Sequence, residues 1–565
     1  MPASNTDIAK VFDEIADLLE IQGENAFRIR AYRNAARSIE GLGESAGEIL
    51  DKGEDLTELP GIGKDLAAKT REIVDTGTCA ALEELRRQLP PTISTLLHIP
   101  GLGPKRVQAL YRGLDISTPE QLYAAARDGD IRQLEGFGDK TEALILQALD
   151  RRAETEKRFE LAVAARQAEP LRTYLAKTTG VKQVVIAGSY RRARETVGDL
   201  DIVVTAKHGE AVMDRLCDYP EVARVVSKGD TRSTVILSSG LQVDVRAVPA
   251  ISFGAALYYF TGSKAHNIAT RRIAQRQGLK INEYGVFRGV RRVAGNTEKS
   301  VFRTIGLPYI APELRENRGE IEAARAGKLP KLVTLENLQG DLHVNVPDDM
   351  SALSELVKAA RRYGLHYVAA TLPARVAKTS LDSRRHMIER LNKSLRGFVL
   401  LTGIEAVVRE DGDLSVPDAL LDDFDVVIAT LNDALNLPRA KQTQRLLRAV
   451  ANPRVRMLAH PAGRRLNGQT GYEVDVPRVI RGAREHGCIL ELNAQPDRLD
   501  LPDVYCRLAK DEGVLVAINS DAHGSSEFDY LRYGVGQARR GWLEQKDVAN
   551  ARSLKDLRTL LKRTF

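Results

Sequence analysis

Three aspartates on two predicted strands carry the clearest chemistry in the sequence. Asp199 and Asp201 interrupt an apolar run, and because strand side chains alternate between faces, both carboxylates project to one side. Asp244 falls at a polar position of a second alternating run, residues 241–246. Carboxylates this close repel one another unless a cation lies between them, and Mg²⁺ takes carboxylates together with phosphate oxygens. The spacing therefore predicts a two-metal site for phosphoryl or nucleotidyl transfer.

A phosphate-binding turn precedes these aspartates. An apolar run ends in Gly188 and Ser189, whose backbone amides and hydroxyl suit a triphosphate. Arg191, Arg192 and Arg194 follow and offer charge-assisted hydrogen bonds to phosphate oxygens. An isolated Asp-x-Asp is more often an exposed strand face, and an isolated Gly-Ser is more often a turn. The three features in this order favour the catalytic interpretation.

Composition limits the class of protein. The 565 residues predict about three or four domains, and the net charge of +7 favours a polyanionic partner. Four scattered cysteines without a Cys-x-x-Cys pair argue against a zinc ribbon or a disulfide framework. The sequence shows no signal peptide and no apolar run near the ~20 residues that span a bilayer. We therefore expect a cytoplasmic, nucleoid-associated protein with no membrane partner.

Gly-x-Gly turns recur along the N-terminal region. Each lies between a hydrophobic residue and the start of a predicted helix, as in helix-hairpin-helix repeats. Such hairpins present backbone amides and a helix N-terminus to DNA phosphates, independent of base sequence. A single Gly-x-Gly would be a bare turn, whereas the repetition predicts binding to the DNA backbone. The predicted DNA-binding residues are Gly61, Gly63, Gly101, Gly103 and Lys105, with a weaker third copy at Gly136 and Gly138.

Together these motifs resemble those of family X DNA polymerases, within the nucleotidyltransferase superfamily. The turn and the three aspartates are similar to the palm of that family, residues 258–267 to its nucleotide-binding thumb segment, and residues 278–287 to its bacterial branch. Ala193 is a departure, because the family often has Gly there. The resemblance implies nucleotide binding by Gly188, Ser189, Arg192, Tyr259, Phe260, Gly262 and Asn267.

Within that set, three side chains have individual roles in the family. Tyr259 and Phe260 would lie against the sugar, where a ring excludes ribonucleotides, and Asn267 would bond the base edge. For the aromatic pair the alternative is ordinary helical core packing.

The first hairpin resembles the lyase domain of the same family. Lys69 occupies the place of its Schiff-base lysine, and Tyr32 that of a supporting tyrosine. However, Phe27, Arg28 and Asp65 stand where vertebrate members carry basic helpers, and a Schiff-base lysine needs nearby cations to lower its pKa. A deoxyribose-phosphate lyase and a simple DNA-phosphate contact by Lys69 are therefore both open.

The C-terminal 230 residues, 336–565, alternate short apolar runs with helical stretches, which predicts parallel strands with ligands at their C-terminal ends. This region resembles the PHP (polymerase and histidinol phosphatase) domain. Asn345, Pro373 and Asn432 stand where that domain has histidines, and such residues bind transition metals poorly. We expect a retained fold with degraded chemistry and at most weak, low-occupancy Mn²⁺ or Zn²⁺ binding; a residual Mn²⁺-dependent 3′–5′ exonuclease is the alternative. The ligands that remain are His343, Glu405, His460, Asp521 and His523.

The sequence as a whole predicts a multidomain α+β protein. Its predicted domains are a helical lyase-like domain (1–85), a helix-hairpin-helix region (86–150), a nucleotidyltransferase palm (151–250), a thumb (251–312), a linker (313–335) and a distorted (β/α) barrel of PHP type (336–565). The resemblance implies a monomeric DNA-directed DNA polymerase that fills short gaps in base excision repair. Its cofactors would be two Mg²⁺ or Mn²⁺ ions, and its substrates deoxynucleoside triphosphates and gapped or primer–template DNA.

Other classes of function remain as alternatives. One is a nuclease or phosphoesterase acting through the PHP-type region, which the missing ligands disfavour. Another is a non-catalytic scaffold that binds DNA ends, which the intact aspartate triad disfavours. Nucleotide transfer to RNA ends is disfavoured by the hairpins and by the Tyr259–Phe260 pair.

Overall fold

The computed structural model describes the chain except residues 1–4, 41–45, 52–53, 60, 91, 98, 100, 157, 346–348, 374–377, 467–470 and 563–565. It forms two compact units, Met1–Lys157 and Arg158–Phe565. The four cysteines are free. Among the described residues, no helix is both long and apolar enough to cross a membrane. The finer domain boundaries given above stay predictions.

The described part of the first unit is helical. Ile8, Phe12, Ile15 and Leu19 recur at helical spacing in α1, and all four are buried in one core with residues of the later helices. The helices are α1 (Asn5–Gln22), α2 (Ala26–Glu40), α3 (Ala46–Asp51), α4 (Lys64–Thr76), α5 (Ala80–Gln88), α6 (Ile93–Leu96), α7 (Pro104–Leu114), α8 (Pro119–Asp128) and α9 (Asp139–Glu156).

The three Gly-x-Gly turns share one backbone geometry. The first glycine of each has a left-handed φ, 83° at Gly61, 90° at Gly101 and 85° at Gly136, which favours glycine. The apolar residue after each of these glycines is buried, and α4, α7 and α9 begin directly after the second glycine. The predicted repeats are thus confirmed as hairpin-to-helix units; Pro60 and Pro100 of the motifs lie outside the described residues.

The second unit begins with a mixed sheet of strand order β2-β4-β7-β6-β5. Its central strands β4 and β7 are parallel, and β4 is antiparallel to β2. Leu200 and Ile202 are buried on the face opposite the aspartates, as the alternation predicts. The elements are β1 (Phe159–Glu160), α10 (Leu161–Ala176), β2 (Gln183–Ile186), α11 (Gly188–Arg191), β3 (Thr196–Val197), β4 (Asp199–Thr205), α12 (Glu210–Cys217), β5 (Val222–Lys228), β6 (Arg232–Leu237) and β7 (Gln242–Val248).

A helical layer with a small hairpin sheet follows. Its elements are α13 (Phe253–Thr261), α14 (Lys264–Arg276), β8 (Lys280–Asn282), β9 (Gly285–Arg288), β10 (Arg291–Ala294), α15 (Glu298–Thr304) and α16 (Glu320–Arg325). The last helix lies in the predicted linker, where Arg315 and Glu320 are buried in ion pairs with Glu298 and His266, each at 2.7 Å. The charges that suggest a linker in the sequence are thus used in packing, and residues 313–335 are part of the second unit rather than an exposed tether.

Seven parallel strands complete the unit, in chain order β11 to β17. A bridge between Val344 and Ala522 joins the first strand to the end of the last, so the sheet curls into a nearly closed barrel, as predicted. The elements are β11 (Gly340–Asn345), α17 (Met350–Arg362), β12 (Tyr367–Pro373), α18 (Lys378–Ser394), β13 (Val399–Val407), α19 (Asp418–Leu421), β14 (Val426–Thr430), α20 (Arg439–Ala451), β15 (Met457–Leu458), α21 (Val476–His486), β16 (Ile489–Asn493), α22 (Asp503–Asp511), β17 (Val516–Asn519), α23 (Leu531–Arg540) and α24 (Leu554–Leu561).

The barrel shares its core with the two layers before it. Leu499 and Tyr533 pack in the apolar cluster of the mixed sheet, and Trp542 packs in that of the helical layer. Residues from the end of the chain thereby fill gaps in layers formed by much earlier residues.

Candidate active site

The three aspartates lie together at one end of the parallel strand pair. Asp201 on β4 is directly opposite Asp244 on β7, and Asp199 precedes Asp201 on the same face. Burial first, and then the charges of Asp199 and Asp244, raise the pKa of Asp201 to about 7. The pKa of Asp199 is raised by the same two causes, burial and then the charge of Asp244. Such mutually repelling carboxylates fit hard divalent cations.

Hydrogen bonds hold the third carboxylate. Thr234 Oγ1 donates to Asp244 Oδ1 at 2.6 Å, and Gln242 Nε2 donates to its Oδ2 at 2.8 Å. Within the described ranges, no group of three or more His, Cys, Asp and Glu side chains already converges as a metal site. The carboxylates fit such ions in chemistry, and Asp244 Oδ2 keeps a lone pair for a cation beside the Gln242 amide.

A cavity of about 800 Å³ opens beside the carboxylates, within the size range of small-molecule sites. The predicted nucleotide-binding residues that line it are Gly188, Ser189, Arg192, Tyr259, Phe260, Gly262 and Asn267. Arg194 lines it too, and so do three cationic residues that sequence reasoning missed, Arg158, Lys264 and Arg271. The sequence could have indicated Arg271, because it follows the predicted site residue Asn267 by one helical turn on α14 and so lies on the same face. The excess of cations over carboxylates suits a polyphosphate.

Gly188 fits the turn for two reasons. Its φ is 61°, and a Cβ there would lie 2.6 Å from Asp201 Oδ2. The backbone can therefore approach the carboxylate only without a side chain. Ala193, at the family's glycine position, also has a left-handed φ of 51°.

The arginines of the turn divide into two roles. Arg191 is tied to Glu298 by two hydrogen bonds of 2.9 and 2.7 Å, and it does not line the cavity. Arg192 lines the cavity, with Nε donating to Glu316 at 3.0 Å and a terminal nitrogen donating to the Thr261 carbonyl at 2.6 Å. The structure thus places Arg192, and not Arg191, where a ligand would contact it.

The aromatic run divides in the same way. Tyr258 is buried, with its ring edge-on to Phe302 at 5.5 Å, whereas Tyr259 and Phe260 line the cavity. Asn267 Nδ2 donates to the Tyr259 carbonyl at 2.8 Å. Its Oδ1 is buried without a hydrogen-bond partner in the described structure, and such an orphaned acceptor is uncommon.

The hairpin residues of the first unit expose their backbone. A Cβ at Gly63, Gly101 or Gly103 would meet no atom within 4 Å, and Lys105 is exposed. Gly61 has its nearest neighbour at Asn34 Cβ, 3.6 Å away. This geometry leaves the turns open to a phosphate backbone.

The lyase candidate Lys69 is paired with a carboxylate, close to Tyr32. Partial burial lowers the pKa of the Lys69 ammonium, but its hydrogen bond to Asp65, with smaller effects of Tyr32 and Cys79, outweighs burial and raises the pKa. Tyr32 is buried, with its ring 5.9 Å from that of Phe12. A Schiff-base lysine needs the opposite shift, so this arrangement gives the lyase prediction no support.

At the C-terminal ends of the barrel strands lies a buried ion-pair cluster. His343 Nδ1 is 2.7 Å from Glu491, and its Nε2 is 3.3 Å from Glu405 and 3.5 Å from Asp521. Burial opposes the charge on His343, but Asp521, Glu491 and Glu405 outweigh it and raise its pKa. Sequence reasoning missed Glu491 as a site residue, although Glu491 and Asn493 alternate at the end of a buried strand.

The remaining predicted ligands adjoin this cluster, but among the described residues no group of three or more side chains is arranged to hold a metal ion. His460 Nε2 is 3.1 Å from Thr430 Oγ1, while its Nδ1 is buried without a partner among the described residues. His523 is 68% exposed and 3.3 Å from the Asn345 amide, which also donates to Asp521 at 3.0 Å. His343 Nε2 is likewise buried without a hydrogen-bond partner among the described residues, so two imidazole nitrogens in this region have unused hydrogen-bonding capacity.

Carboxylates paired across parallel strands, beside a cationic cavity, define a nucleotidyltransferase. A protein-family model described as DNA polymerase beta palm matches residues 162–248, and a second, described as DNA polymerase beta thumb, matches residues 256–316. A helix-hairpin-helix domain matches 3–79, and a SAM-like helix-hairpin-helix tandem matches 93–151.

Curated relatives extend this similarity to the whole chain. The DNA polymerase/3′-5′ exonuclease PolX of Bacillus subtilis (strain 168) is 36% identical over 571 residues, 99% of each protein. DNA polymerase lambda of Arabidopsis thaliana is 27% identical over 356 residues, 56% of this chain and 62% of that one. A "Probable phosphatase" of Thermoanaerobacter sp. (strain X514) is 30% identical over 153 residues, 25% of this chain and 59% of that one. The chain belongs to the family X DNA polymerases.

Proposed function

We propose that the chain is a DNA-directed DNA polymerase that adds nucleotides to a primer 3′-hydroxyl and fills short gaps in DNA repair. The observation that carries the proposal is the register of Asp201 against Asp244 beside the cationic cavity. The names of the PolX and lambda relatives support it. DNA and deoxynucleoside triphosphates are then the substrates, and we propose that the protein acts as a monomer near the nucleoid.

The aspartates would hold two divalent cations, which we propose to be Mg²⁺ or Mn²⁺. When bound, such ions lower the pKa of the attacking hydroxyl and neutralise the triphosphate. Gly188 and Ser189 offer backbone amides and a hydroxyl to phosphate oxygens, and Arg192 offers its cation.

Other side chains would orient the nucleotide. Tyr259 and Phe260 supply ring faces for the sugar, and Asn267, which lines the same cavity, would bond the edge of the base. The hairpins at Gly61 and Gly101, with Lys105, would bind DNA phosphates through exposed backbone amides and a cation.

Single-nucleotide gap filling by an Asp201→Asn variant tests the proposal. The change keeps the side-chain volume and removes the charge, so we expect gap filling to fall at least ~100-fold, as for loss of a metal ligand, while DNA affinity stays within twofold. Asp214→Asn is the matched control, because Asp214 lies on α12 and pairs with Lys228 at 2.6 Å. Equal activity of the parent and Asp201→Asn would refute the assignment.

For the barrel we propose a retained fold with at most weak Mn²⁺ or Zn²⁺ binding and at most a residual Mn²⁺-dependent 3′–5′ exonuclease. The name of the PolX relative keeps this second activity open. The measurement is the length of a 5′-labelled primer incubated with Mn²⁺ and no nucleotides, with His460→Ala as the control for contaminating nuclease. Rapid shortening by the parent alone would contradict a degraded site.

A further inference from the structure

Arg540, a buried arginine of the barrel, donates a hydrogen bond to the backbone of Arg192, which lines the nucleotide cavity. Arg540, the last residue of α23, has a fully buried side chain. One of its terminal nitrogens donates to the Arg192 carbonyl at 3.0 Å and to Glu316 Oε1 at 2.8 Å. The other donates to Asp503 Oδ2 at 2.8 Å. The guanidinium therefore joins the barrel to the turn that follows Gly188.

Glu316 is the shared partner in this network. The same oxygen, Oε1, accepts from Arg540 at 2.8 Å and from Arg192 Nε at 3.0 Å. The side chains of Glu316 and Arg192 are only 12% and 14% exposed, so water screens their charges weakly. With two arginines on one carboxylate, Arg192 keeps positive charge for a ligand; with Arg192 alone, Glu316 would neutralise it.

Backbone packing brings the two segments together. A Cβ on Gly536, one turn before Arg540 on the same helix, would lie 2.9 Å from the Cβ of Ala193. A helix side chain at that position would push the barrel away from the turn. Helix α23 is therefore built to lie against the residues that line the cavity.

We propose that Arg540 is a positioning residue for the incoming nucleotide: it fixes the Arg192 backbone and shares Glu316, so the barrel is a working part of the nucleotide pocket. The inference rests on the proposed role of Arg192 in phosphate binding. Removal of Arg540 should weaken nucleotide binding without changing Asp199, Asp201 or Asp244, because its hydrogen bonds go to Arg192, Glu316 and Asp503.

The test is steady-state gap filling with the full chain on a one-nucleotide gap. We expect Arg540→Ala to raise the KM for the nucleotide roughly tenfold, the effect of losing about one charge-assisted hydrogen bond, while kcat changes by less than about threefold. Arg539→Ala is the matched control: Arg539 is its neighbour on α23 and bonds Glu313 at 2.7 Å and the Val333 carbonyl at 3.0 Å. Its KM should equal that of the parent.

A second background separates positioning from loosening of the fold. In an Arg192→Ala chain, Arg540→Ala should raise KM by less than it does in the parent, because the shared Glu316 no longer matters there and only the contact with the backbone carbonyl of residue 192 remains. An unchanged KM in Arg540→Ala, an equal rise in Arg539→Ala, or a rise in the Arg192→Ala background as large as in the parent would each overturn the inference. If Arg540→Ala does not fold, Arg540→Lys replaces it. Lysine keeps the positive charge but has no pair of terminal nitrogens to donate to the Arg192 carbonyl, Glu316 and Asp503 together. An unchanged KM in Arg540→Lys would also overturn the inference. A parent that incorporates no nucleotide would instead refute the polymerase function, and the inference with it.

Discussion

Gly188→Ala tests the geometry of the phosphate turn most directly. A methyl group at this position would lie 2.6 Å from Asp201 Oδ2, and the backbone φ is 61°. The first fact predicts displacement of a proposed metal ligand, and the second predicts backbone strain. Because Gly180 has a φ of 82° and a Cβ there would meet no atom within 4 Å, Gly180→Ala reproduces the strain without the collision.

The expected losses of stability and of rate follow from the backbone strain and from the collision with Asp201. A left-handed alanine costs about 1–2 kcal/mol, so both variants should lose similar stability and stay folded. The methyl–carboxylate distance falls roughly 0.8 Å short of an ordinary contact, and misplacement of about 1 Å at a reacting centre costs on the order of 100-fold in rate. We expect that loss in kcat for Gly188→Ala and less than a twofold change for Gly180→Ala.

The assay is single-turnover incorporation on gapped DNA, with chemical denaturation of both variants alongside. Retained kcat in Gly188→Ala would refute the close approach of turn and carboxylate. An equal loss in Gly180→Ala would assign the effect to backbone strain and refute the role given to Asp201.

Further predictions concern stability and the lyase. Ala193→Gly should raise the free energy of unfolding by about 0.5–1 kcal/mol by relieving a left-handed alanine; a lower melting temperature would contradict this. His343→Ala should lower the free energy of unfolding by about 3–5 kcal/mol, because it leaves buried carboxylates unpaired. Dialysis against EDTA should leave the thermal unfolding of the parent unchanged. Unfolding on chelation would show that the barrel depends on a metal. Borohydride trapping on a 5′-deoxyribose-phosphate end should give no adduct at Lys69, since Asp65 stabilises the charged amine; a covalent adduct lost in Lys69→Ala would contradict that reasoning.

Local patterns were enough to predict the carboxylates. Period-two alternation placed Asp199 and Asp201 on one face, and the Gly-Ser turn and the hairpins carry their geometry in neighbouring residues. The prediction that Asn345 and Pro373 replace barrel ligands is equally local, because both are read as substitutions within short resembling motifs. These features depend on residues a few positions apart.

Contacts between distant residues could not be predicted in this way. Arg540 and Arg192 are 348 positions apart, and His343 and Glu491 are 148 apart. No local periodicity connects such pairs. The same limit explains why residues 313–335 were predicted to be a linker. Their charges are typical of a solvated segment, and the sequence does not show that Arg315 and Glu320 pair with the distant residues Glu298 and His266.

The late contribution of Leu499, Tyr533 and Trp542 to earlier apolar clusters has a consequence during synthesis. Domains generally fold as they leave the ribosome, N-terminal first, but the apolar cores of the mixed sheet and the helical layer are complete only when these residues of the barrel have emerged. A nascent chain that carries all three aspartates therefore still exposes the apolar surface that Leu499, Tyr533 and Trp542 cover in the complete protein. The two layers around the nucleotide cavity are thus completed by residues that are synthesised late.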